Sequence, residues 1–190
     1  AHDEVREMQR ATRDVSLANS DRDVWSYVWG KAEFKTKDYY TFYFREVRAH
    51  QAYKWLWKFV STPKLKTFGW FFLSDRLNTR NILKRWHYNI GANFTCLLCD
   101  DRTEETLEHL FFHCEFSKAC WRTLRISWSA HEDRLKLWEA AKHKYDGGLF
   151  MDTFLTASWR IWKERNDKLF RGVSPRITSW KGRVKEDLGN

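Results

Sequence analysis

Along most of this chain apolar residues return every three or four positions, the period of a helix with one buried face. The longest such stretch is "LFMDTFLTASWRIWKERNDKLF", residues 149–170. Phe150, Phe154, Ala157 and Ile161 form one stripe, and Leu155, Trp159 and Trp162 the next, so most of this helix is expected to be buried. Trp159 and Trp162 share a face that should pack onto the helices of residues 52–86. Arg165 and Asn166 lie beside that face, and buried polar groups need partners, so they should tie down a neighbouring segment. Shorter helices are expected over 37–49, 52–60, 64–77, 78–88, 116–126, 132–145 and 176–188. Pro63 closes one of them, Asn78 or Thr79 caps another, and "GG" at 147–148 and "GVSP" at 172–175 are stops. Thr103 is the expected N-cap of a helix through "TEETLEHLFF". Residues 23–36 place aromatic residues around a Gly-Lys turn, which suits a short hairpin. The fold class that follows is mostly α: a compact multi-helix domain with a short N-terminal β-hairpin. Residues 1–20 form an N-terminal arm, 21–172 the domain, and 173–190 a C-terminal helix or tail.

Composition narrows this picture. A chain of 190 residues is one domain with at most a small appendage. Aromatic residues reach 17%, with twelve tryptophans, so large rings must fill a core or find partners. No apolar run is long enough for a membrane span, and the charged N-terminus is unlike a secretory signal. The expected setting is intracellular, nuclear or cytoplasmic, where thiols bind metal more often than they pair. The chain starts without Met, as an excised fragment or processed product would.

The chemistry concentrates in "CLLCDDRTEETLEHLFFHC", residues 96–114, with the spacing C-x2-C-x9-H-x4-C. Zinc takes four nitrogen or sulfur ligands in a tetrahedron, and a C-x2-C turn delivers two thiolates. Cys96, Cys99, His109 and Cys114 are therefore expected to hold one structural Zn2+ in a CCHC zinc knuckle over 94–116, inserted between helices. His113 is the rival ligand, but it adjoins Cys114 and adjacent residues rarely aim at one ion, so His109 is preferred; Cys120 reads as a core thiol. Nothing resembles a catalytic centre. Asp100-Asp101, the one Asp-Asp pair, lies in the knuckle turn, and there is neither a phosphate-binding Gly-rich loop nor an H-E-x-x-H motif. A site with four protein ligands leaves no position for a reactive water, so no enzymatic activity is expected.

The net charge of +9 favours acidic partners. Between residues 45 and 95, ten basic residues face two acidic ones, leaving +8 in about a quarter of the chain. Lys54, Lys58, Lys64, Lys66, Arg80, Lys84 and Arg85 are expected to form one basic surface beside the knuckle and contact RNA or DNA backbone. The interleaved Trp55, Trp57, Trp70 and Trp86 are expected in the core. An acidic protein partner is the alternative.

Four stretches carry a family resemblance. They are Pro-Lys-x-Lys-x-Phe-x-Trp at 63–70, Asp-Arg-Leu-x-Thr at 75–79, the cysteine set, and Trp-x-Ile-Trp-x-x-Arg-Asn at 159–166. From about Trp25 to Phe170 the chain resembles the zinc-binding domain that follows the polymerase in plant non-LTR (LINE-type) retrotransposon reverse transcriptases. The resemblance implies zinc ligands at Cys96, Cys99, His109 and Cys114 and a non-catalytic accessory module that helps hold template RNA or target DNA. Free-standing copies of such domains imply the alternative of a co-opted protein-interaction module.

Overall fold

The computed structural model describes Arg6, Arg10, Tyr27, Gly30 and residues 33–129, 133–145 and 150–189. The chain divides into two units, after Arg48. In the first, α1 spans Thr36–Tyr43, and none of its residues is buried. The hairpin expected over 23–36 is not supported. No strand occurs among the described residues: Glu33, Phe34 and Lys35 are not in a strand, Thr36 already opens α1, and most of the remaining hairpin positions lie outside the described residues.

The second unit is built from α2 (Gln51–Lys58), α3 (Pro63–Leu73), α4 (Arg80–Arg85), a π-turn (His109–His113), α5 (Glu115–Thr123), α6 (Arg134–Lys144), α7 (Phe150–Arg171) and α8 (Ile177–Gly189). The starts follow from side-chain caps. Thr62 accepts from the Leu65 amide and is followed by Pro63, whose missing N–H costs nothing at a first helical position. Thr79, one of the two residues expected there, caps α4 through Ile82, and Asp133 caps α6 through Leu135 and Lys136. Thr103 caps nothing. Glu104 is still extended, in an isolated antiparallel bridge with Thr95, and the turn begins later, where the Thr106 hydroxyl accepts from the His109 amide at 3.0 Å.

The long helix α7 is the axis of the packing. Against it lie α3, α5 and α8, while α2 packs on α3 and α6. Phe154, at the centre of the expected stripe, touches the rings of Phe72, Trp121, Trp128, Trp138 and Phe150. The α3–α7 contact is close because Gly69 has no side chain: a Cβ there would stand 2.7 Å from Leu56 Cδ1 and 3.0 Å from Leu155 Cδ2. Trp159 packs edge-on to Phe68 of α3, as expected, but Trp162 stacks on Phe111 of the π-turn. Helix α8 is part of this core, since Trp180 is fully buried and donates its indole N–H to the Ala157 carbonyl. Arg183 reaches back to Glu164 and Asp167 of α7, and burial pushes the Glu164 carboxyl above its usual range. Among the described residues no helix is long and apolar enough to cross a membrane.

Candidate metal centre

Four side chains from two short stretches meet at one point. One ligand atom each from Cys96, Cys99, His109 and Cys114 all lie within 4.8 Å of one another. The first stretch is a loop pinned at both ends. Cys96 N–H donates to the Thr103 carbonyl, Glu105 N–H to that of Phe94, and Arg102 takes a left-handed φ of 52° where the chain turns back. Inside the loop, the Leu98 amide donates to Cys96 Sγ at 3.4 Å, and the Asp101 amide faces Cys99 Sγ. Amides aimed at sulfur favour the charged thiolate that a metal needs.

The second stretch is the π-turn. Residues five apart on an α-helix point roughly 140° away from each other. Here the Cys114 amide bonds the His109 carbonyl, an i→i+5 closure that widens the turn and brings both side chains to the same side. The widening leaves carbonyls without their usual helical partners, and α5 supplies substitutes. Ser117 Oγ donates to Leu110 O, and Trp121 Nε1 donates to Phe111 O at 2.6 Å. The sequence between Leu110 and Trp121 thus fixes both a metal ligand and the turn that aims it. Leu110, Phe111 and Phe112 pack beneath, all in the core.

The donor set fits zinc. With Zn–S bonds of about 2.3 Å and Zn–N bonds of about 2.0 Å, a tetrahedral ion separates two sulfurs by about 3.8 Å and a sulfur from a nitrogen by about 3.5 Å. Cys96 Sγ and Cys114 Sγ are 3.8 Å apart, and Cys99 Sγ and His109 Nε2 are 3.3 Å apart. The thiols differ in character. Cys114 is held at about 4, chiefly by the Cys96 S–H, and further by His109 and the first-turn amides of α5, against its burial. Cys96 is pushed up by its hydrogen bond to Cys114 and by burial, and burial pushes Cys99 up. His113, the rival ligand, is outside the cluster. Cys120 is a fully buried core thiol, pushed up by desolvation.

Sequence reasoning missed the carboxylate that fastens this loop to the helices. Glu105 is 0% exposed and accepts from the Arg80 amide at 3.0 Å, the Leu97 amide at 3.3 Å, and Arg165 Nε and Nη2 at 3.1 and 2.7 Å. Arg165, itself 2% exposed, therefore ties down a neighbouring segment as expected, and that segment is the metal loop. Arg80 Nη1 adds a bond to the Thr95 carbonyl.

The seven basic residues singled out from the sequence are not equivalent. Lys84 is paired with Glu104, and Arg85 with Asp75. Arg80 is half-buried in the loop anchor. Lys66 donates to the Trp57 carbonyl, and Lys64 lies 4.6 Å over the Trp159 ring. Lys54 and Lys58 are exposed on α2 and make no ion pair among the described residues. The tryptophans also divide. Trp55 and Trp70 are half-buried, whereas Trp57 and Trp86 are exposed, contrary to the expected core placement.

Residues 34–121, which contain all four cluster residues, match the model of a family described as zinc-binding in reverse transcriptase. Among curated proteins and among solved structures nothing matches the chain.

Proposed function

We propose that the chain is a non-catalytic module that holds nucleic acid by its backbone; residues 34–121 match a family described as zinc-binding in reverse transcriptase, and Cys96, Cys99, His109 and Cys114 fit one structural Zn2+. All four zinc positions are filled by protein, so the ion organises the loop and offers no open position for a reacting group. The observation that carries the reading is the uncompensated charge on α2 and α3. Lys54, Lys58 and Lys64 have no acidic partner among the described residues, in a segment with a surplus of +8. Lysines of this kind neutralise phosphates and release counterions. Lys84, Arg85 and Arg80, already engaged with Glu104, Asp75 and Thr95, contribute less.

The test is a titration of the zinc-loaded chain with single-stranded RNA and duplex DNA at two salt concentrations. Affinity should fall steeply with salt. A Lys54/Lys58/Lys64→Ala variant with an unchanged melting curve should lose about one unit of salt slope per contact removed. A wild-type chain that binds neither polymer at low salt overturns the reading.

A second reading, docking on another protein, is favoured by α1, whose Tyr40 and Tyr43, with Phe44 just after it, expose large rings. Replacing these three with Ser should then abolish partner capture and leave zinc content unchanged.

A further inference from the structure

Helix α2 carries three stripes, each made of residues one turn apart. Ala52 and Leu56 are buried. Next to them lie Tyr53 and Trp57, and next again Lys54 and Lys58. Tyr53, Lys54, Trp57 and Lys58 line an open groove of about 610 Å³ with Trp70 and Ser74 from the end of α3. The groove is braced. The Tyr53 hydroxyl and Ser74 Oγ are hydrogen-bonded at 3.2 Å, the Trp57 carbonyl accepts from Lys66, and Leu56 is locked against Gly69. Arg76, exposed beyond the end of α3, lies 5.6 Å from the Trp70 ring centroid. Trp57 itself is 55% exposed, in a chain that buries Trp121, Trp138 and Trp180 completely.

We infer that this groove is a stacking site for an unpaired base of single-stranded nucleic acid, with Lys54 and Lys58 on the adjoining phosphates; the inference rests on the nucleic-acid reading above. Three features select this occupant. Three aromatic side chains line the groove, Trp57 among them exposed, and every base has a face that can stack on such a ring. The charged side chains lining it, Lys54 and Lys58, are both cationic, which fits a polyanion. Its two hydroxyls, Tyr53 and Ser74, are engaged with each other, and the other polar side-chain groups lining it, the Trp57 and Trp70 indole N–H and the two lysine ammoniums, are donors only, which suits the acceptor oxygens of phosphates and bases. A base paired inside a duplex cannot offer its face to a ring, so the groove discriminates single strands from duplexes, which lysines alone do not.

The experiment uses the full zinc-loaded chain and four labelled probes: one oligonucleotide sequence as single-stranded RNA, as single-stranded DNA, and each as a duplex. Trp57→Ala should weaken single-strand binding roughly 5- to 150-fold, the worth of one base–aromatic stack, with duplex binding and salt slope unchanged. Trp57→Phe should keep most of the affinity, and Lys54→Ala/Lys58→Ala should lower the salt slope by about two units. Because the ring is exposed, both Trp57 variants should melt with wild type. Equal loss on single strands and duplexes, or no loss, overturns the stacking site while leaving the nucleic-acid reading standing. A wild-type chain that binds none of the four probes removes both. Preference between the RNA and DNA single strands identifies the polymer.

Discussion

Glu105 is the residue on which the metal loop and the helical core depend jointly. Its carboxylate serves two backbone amides and the Arg165 guanidinium, with both side chains essentially excluded from water. A buried pair of this kind adds little net stability over an apolar pair, but removing one partner strands the other charge. Glu105→Gln is therefore expected to destabilise the chain by about 3–5 kcal/mol. Urea unfolding measures it, and a loss below about 1 kcal/mol, the range of an exposed pair, would mean that water reaches Arg165. This residue was invisible in the sequence for a physical reason. Its partner lies sixty positions away, and a lone Glu in an acidic stretch reads as solvated. The metal set was legible because its four members lie within nineteen residues and zinc imposes their types and spacing. His109 could be preferred over His113 because His113 adjoins Cys114, but the π-turn that aims His109 and Cys114 to the same side is announced by no residue pattern. Trp57 shows the converse failure, since hydrophobicity alone places it inside and only the helix orientation leaves it out.

At the scale of elements, the π-turn joins the metal centre to the core. Phe111 touches Phe68, Phe72 and Trp162, and Phe112 touches Phe72 and Trp128. A short metal loop beside a large helical core could in principle melt by itself. The contacts argue for coupling: chelation should lower the melting temperature of the helical core as well as expose residues 94–106. Calorimetry with and without chelator reads the first, and hydrogen exchange the second. An unchanged melting curve after verified metal removal would show that the loop is autonomous. The pH sign follows from the thiols. Cys96 and Cys99 are pushed up, so both must lose protons to bind zinc, and acidification restores those protons and expels the ion. Zinc occupancy and the stability coupled to it should therefore fall together as pH drops. The α3–α7 contact makes a separate prediction. Gly69→Ala gains about 1 kcal/mol of helix propensity. It also drives a methyl group onto Leu56 and Leu155 at once, and overpacking costs about 1–3 kcal/mol. The net effect expected is a loss of about 1 kcal/mol, and a stabilised variant would show that both leucines can turn away.

At the scale of the whole molecule, two boundaries disagree. The family match begins at residue 34, inside the first unit, whereas the structural division falls after Arg48. Helices could be read from apolar spacing because each is local, but the division between units depends on which apolar faces find partners. For α1 the sequence offered aromatic residues at helical spacing, and the structure buries none of them. All buried hydrophobic residues among those described lie between Ala52 and Val184, and so do the four zinc ligands; the groove on α2 and α3 begins at Ala49, in the same unit. Helix α8 belongs with them through Trp180, Val184 and the Arg183 pairs to α7, so a cut after Gly172 would expose the Ala157 face of the longest helix. A chain of residues 49–190 should therefore fold, bind one zinc ion and melt within a few degrees of the full chain. A chain of residues 1–172 should not, because losing Trp180 removes a fully buried ring, for which substitution by Ala alone costs about 3–5 kcal/mol. Circular dichroism melts and zinc stoichiometry on the two truncations decide between the boundaries. If 49–190 fails to fold while 34–190 succeeds, α1 is part of the stable unit and the family boundary is the physical one.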